Sequence, residues 1–106
     1  MDVKNIYSGI PGHIPDELFE ELVRSDGCRI ERIISLGHTT PAGVWCDQIE
    51  NEWVLLLKGK ARLTIEGSHC PIEMNPGDYI RIPAHCKHRV EYTASDQETL
   101  WLAIHY

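Results

Sequence analysis

The chain has 106 residues, 42% of them hydrophobic and 25% charged, with a formal net charge of −6. That is enough chain for one domain and too little for a second core, and the composition is that of a globular protein, not a disordered one. The acidic balance argues against a nucleic-acid partner, and no apolar run approaches the roughly 20 residues of a membrane crossing. The first residues, MDVKNIYSGI, have no basic stretch leading into an apolar core, which points to a cytoplasmic protein.

In chain order the first periodic segment follows Pro15. Asp16 and Glu17 would occupy a first helical turn, and Leu18, Phe19, Leu22 and Val23 recur at helical spacing before Gly27. The expectation is one short helix over residues 15–24. From Cys28 the pattern changes to short runs of Ile, Val, Leu, Trp and Tyr between Gly, Pro, Asn and Asp, as in all-β sandwiches and barrels. Eight strands are expected, at Cys28–Ser35, Gly43–Gln48, Glu52–Leu57, Ala61–Glu66, Pro71–Met74, Asp78–Ile82, His88–Thr93 and Thr99–His105.

Alternation along these strands sorts side chains by face. Leu63 and Ile65 face one way, Ile80 and Ile82 likewise, and His88 shares a face with Val90 and Tyr92. Glu52 shares a face with Val54 and Leu56 in a segment that is apolar on both sides. A carboxylate placed there needs a cation, a metal or a dense set of hydrogen bonds, because burying it alone is costly. The cysteines Cys28, Cys46, Cys70 and Cys86 have no C-x-x-C spacing and read as free, mostly buried thiols. His13, His38, His69 and His105 fall near turns or termini and read as surface residues.

Glu52-(x)6-Gly59, followed by Gly77-(x)5-Pro83-(x)4-His88, resembles the two signature motifs of the cupin superfamily. WCDQIENEW, PAHCKHRV and WLAIHY also look like segments of small single-domain cupins. The resemblance implies a mainly β fold, a single domain over residues 1–106 whose double-stranded β-helix of jelly-roll type covers about residues 28–106 after the helix, and a homodimer. It also implies one Fe, Mn, Ni, Zn or Cu ion held by three histidines and a glutamate. This chain departs from that pattern. With four residues between, the motif's His-x-His falls on Trp45 and Asp47; with three, it falls on Cys46 and Gln48. The second motif's inner glycine is His85 and its closing asparagine is Tyr92.

On the four-residue register Asp47, Glu52 and His88 form a carboxylate-rich set suited to a divalent Mn, Fe or Zn ion, with Gln48 as the alternative to Asp47. His85, at the expected mouth, is a candidate for proton transfer. Trp45 and Tyr92 would line the cavity beside a small-molecule ligand. Three functions follow: a metal-dependent enzyme on a small molecule, a ligand-binding or sensory module, and a metal-free structural barrel.

Overall fold

The computed structural model describes residues 1–106. Its eight strands are β1 (Leu18–Ser25), β2 (Cys28–Ser35), β3 (Glu52–Lys58), β4 (Ala61–Ile65), β5 (Ile72–Met74), β6 (Tyr79–Ile82), β7 (His88–Thr93) and β8 (Thr99–His105). All pairings are antiparallel, in a five-stranded sheet ordered β1-β2-β8-β3-β6 and a three-stranded sheet ordered β5-β4-β7. The inner faces meet in a core of Val54, Leu56, Leu63, Met74, Ile82 and Trp101. No helix is long and apolar enough to cross a membrane.

Two expected elements are corrected. Residues 15–24 hold no helix; most of that stretch is β1, paired with β2 from Leu18↔Ile34 to Ser25↔Cys28. Leu22 is the extra residue of a bulge, where the register steps from Glu21↔Glu31 to Val23↔Ile30. A bulge interrupts alternation, so a strand with one here places apolar residues at 18, 19, 22 and 23, which imitates a helix. The Asp26-Gly27 connection, with Gly27 at φ 74°, is a two-residue hairpin signal that outweighs the weak helical preference. The second correction concerns Gly43–Gln48, which is no strand: only Cys46 pairs, as an isolated bridge to His88.

The outer face of the large sheet is partly covered by the chain's own first residues. Ile10 and Ile14 pack on Ile34 and Leu100. Arg32, buried on that face, ties the segment down by donating from Nη1 to the carbonyls of Ile6 (2.9 Å) and Ser8 (2.5 Å), while its Nε donates to Glu20 at 2.8 Å. At the β3–β4 turn Gly59 has φ 95° and lies against Thr99; a Cβ there would sit 2.6 Å from the Thr99 Cα. Only glycine suits that backbone and that approach, which accounts for the closing glycine of the first motif.

Candidate functional site

A cavity of about 150 Å³ opens between the sheets, walled by apolar side chains that include Ile33, Val54, Leu63, Ile82 and Trp101. Its polar lining comprises Glu17, Glu31, Glu52, His88 and His105, with Thr40, Cys46 and Gln48; neither Lys nor Arg lines it. β3 presents Glu52 inward by the alternation that also buries Val54 and Leu56, and β7 presents His88 from the facing sheet. The His88 Nε2 lies 3.7 Å from Glu52 Oε1, with both side chains about nine-tenths buried. His88 Nδ1 is 2.9 Å from the Cys86 carbonyl, so its proton sits on that nitrogen and Nε2 faces Glu52 bare when the ring is neutral. Gln48 Nε2 donates to Glu52 Oε1 at 3.3 Å.

The register left open by the first motif is decided by which side chains reach the cavity. Cys46 and Gln48 line it, whereas Trp45 and Asp47 do not. The three-residue spacing is therefore the structural one, and the positions of the missing histidines are occupied by a thiol and an amide. Burial pushes the Cys46 thiol up from its ordinary value; Thr40 offsets part of this, and the nearby Glu52 charge adds to it.

Asp47 and His85 meet each other instead. Asp47 Oδ1 is 3.0 Å from His85 Nδ1, and both side chains are well exposed, at 40% and 66%. His85 has φ 62° and is the only non-glycine residue with a positive φ. The motif's inner glycine position thus keeps its left-handed backbone here while carrying an imidazole. His85 stands outside the cavity lining, so it does not meet a ligand there. Tyr92 is corrected as well. Between Leu63↔Val90 and Arg62↔Tyr92 the register shifts, leaving Glu91 as an extra residue. That turns Tyr92 away from the cavity, where its ring lies under the Arg62 guanidinium at 5.5 Å. Trp45 lies 5.9 Å from the Arg89 guanidinium.

The residue missed from sequence is His105, expected at the surface and found 4% exposed. Its Nε2 is 2.8 Å from Glu31 Oε1, and Glu31 is also 3.6 Å from Arg29. Alternation carries the signal: Trp101, Ala103 and His105 share a face of β8, and His105 lies opposite Glu52 in the β3–β8 register. His38 is half-buried and bridges Leu36 N and the Pro15 carbonyl at 2.8 and 3.0 Å, while His13 and His69 are exposed as expected.

No three His, Cys, Asp or Glu side chains converge as a metal ion would require. The set with Asp47 is not assembled, because Asp47 turns outward to His85, whereas its alternative, Gln48, lines the cavity with Glu52 and His88 and turns its amide N–H to Glu52. Cys46, the donor that does reach the cavity, is biased by its burial toward the protonated thiol, whereas a metal binds the thiolate. The donor set present does not fit the family's metal.

The cupin domain model matches residues 46–105, more than half of the chain. This protein belongs to the cupin family. No curated protein sequence matches it. Among solved structures, the cupin resembles a candidate mannose-6-phosphate isomerase from Ralstonia eutropha JMP134, with 42% identity over 99% of this chain and 97% of that one, at a TM-score of 0.95. A protein from Thermus thermophilus (15% identity, 99% and 96% covered, TM-score 0.79) shares the fold. So does a cupin superfamily protein from Desulfitobacterium hafniense (22% identity, 91% and 82% covered, TM-score 0.73). The four free cysteines of this cupin are unpaired thiols.

Proposed function

We propose that this cupin binds a small uncharged molecule between its sheets and moves a proton on it with Glu52 as base and His88 as partner. The observation that carries the reading is the buried His88–Glu52 pair, 3.7 Å apart, in a cavity walled also by Ile33, Val54, Leu63, Ile82 and Trp101. There the carboxylate stands within reach of a bound carbon or oxygen acid, the geometry a general base requires. The bare Nε2 of the facing imidazole receives that proton from Glu52 and hands it back to the neighbouring atom of the ligand, which leaves both groups as they began. An isomerase activity, as in the name given to the Ralstonia relative, is proton transfer of this kind. A phosphorylated sugar fits poorly, since three glutamates line the cavity and no Lys or Arg does.

The reading also takes the protein as a homodimer, because the edge strand β1 leaves Phe19, Leu22 and Val23 exposed. A second copy would cover them, and light scattering showing monomer alone at micromolar concentration would count against it.

The direct test follows exchange of carbon-bound hydrogen in D2O by NMR, with hydroxyacetone, dihydroxyacetone and mannose 6-phosphate as separate probes. Exchange of the uncharged probes is expected with wild type and is lost in Glu52→Gln, with mannose 6-phosphate inert in both. Equal exchange rates in the two proteins remove Glu52 as base. Binding without exchange in wild type supports a module that holds its ligand without turnover.

A further inference from the structure

Besides Glu52 and His88, one more histidine, His105, and two more carboxylates, Glu17 and Glu31, line the same cavity; Glu17 is engaged by the Ser35 hydroxyl, and the proton transfer proposed above uses none of them. His105 is 4% exposed and Glu31 is half-buried, and both belong to the cavity wall. His105 Nε2 approaches Glu31 Oε1 at 2.8 Å, but the approach is not aligned as a hydrogen bond: both ring nitrogens lack a hydrogen-bond partner and are closed to bulk water. Buried polar groups are nearly always satisfied, and one that is not calls for a ligand, a water or a role. Glu31 is nearer to charge balance than Glu52, because Arg29 stands 3.6 Å from it.

The neighbouring strand fixes how this pair sits relative to the first. His105 is the Cα partner of Glu52 across β3 and β8, and opposed residues of an antiparallel pair have Cβ atoms about 4.5–5.5 Å apart. Glu31, Glu52 and His105 therefore stand together on the wall made by the large sheet, with His88 facing them from the small one.

We infer that His105 and Glu31 form a hydroxyl-binding subsite, so that the ligand of this cavity carries two oxygen functions on neighbouring carbons, one for each pair. The inference rests on the cavity reading of the preceding section. A ligand hydroxyl entering the subsite donates to Glu31 and accepts from the His105 N–H, which completes both groups. The ring reaches that geometry by turning about χ2, a broad torsion with little resistance. The size of the cavity, about 150 Å³, is that of an apolar cavity known to hold benzene. The ligand class is thus a compact, uncharged vicinal dioxygen compound: a diol, a hydroxycarbonyl or a dihydroxyarene.

The test compares catechol with phenol, which differ by the one hydroxyl the subsite would hold, by calorimetry on wild type, His105→Phe, Glu31→Gln and Glu52→Gln. Wild type is expected to bind catechol about fivefold or more tighter than phenol, as one added hydrogen-bonded group implies. In H105F and E31Q the preference falls to about one with phenol affinity retained, while E52Q, which leaves the subsite whole, keeps it. E31Q stands in should H105F not fold. Ring-nitrogen NMR shifts of His105 should move with catechol and not with phenol. Equal binding of the two probes by wild type, or a preference that survives in E31Q, overturns the subsite and leaves the cavity reading intact. If neither probe binds, the cavity reading and the subsite fail together.

Discussion

Two histidine–carboxylate pairs of this cupin invite comparison. The rim pair, His85 and Asp47, is the closer at 3.0 Å but lies in solvent; the interior pair, His88 and Glu52, is 3.7 Å apart and mostly buried. Separation alone would rank the rim pair first. Burial reverses the order, because water screens the rim charges while the interior groups have no solvent to replace a lost partner.

The largest expected effect comes from breaking each pair in turn. His88→Ala strands Glu52 with one 3.3 Å hydrogen bond from Gln48 and should lower stability by about 2–3 kcal/mol in urea titrations. His85→Ala should change it by less than about 0.5 kcal/mol on account of the ion pair. Similar losses at the two positions would erase the distinction.

A second comparison separates the His85 ring from its backbone. At φ 62° a β-branched residue is strained, so His85→Val should cost about 1–2 kcal/mol, whereas His85→Gly should hold or raise the melting temperature. If glycine costs as much as valine, the imidazole matters more than the turn.

Thiols extend the contrast between interior and surface. The Cys46 thiol is pushed up by burial, and Cys70 is exposed, so iodoacetamide at neutral pH should alkylate Cys70 several-fold faster. A group whose pKa rises on folding contributes stability that is present below its unfolded value and lost as pH climbs. Replacing Cys46 with Ala should accordingly flatten the fall in stability at alkaline pH, above the ordinary 9.0.

The smallest expected effect concerns metal. Melting wild type and His88→Ala with and without added Mn, Fe or Zn should move neither transition by more than about 1 °C, since no binding to the native state means no stabilisation by mass action. A rise in wild type that is absent from the variant would show that the donors rearrange around an ion, with His88 among them.

Much of the barrel was readable because period-2 alternation reports directly on burial. Seven of the eight expected strands formed, and Glu52 and His88 were placed inward on that ground. The failures share a cause. At Leu22 and at Glu91 a bulge adds one residue, which imitated a helix in the first case and turned Tyr92 outward in the second. Asp47 failed because the spacing between motif and strand could be three residues or four, and it is the cavity lining, which takes Cys46 and Gln48, that resolves it. His105 was legible through its parity with Trp101 and was missed because it lay next to a terminus.

The placement of β8 bears on how the molecule is made. It is the last of the eight strands in the chain, yet it lies at the centre of the large sheet, between β2 and β3. While residues 99–105 are still in the ribosome, β2 and β3 each present an open edge to other chains. Closure must then join strands separated by most of the sequence, a slow kind of contact. The exposed interval falls during synthesis, and His105, at the end of that strand, is the last part of the cavity wall to arrive.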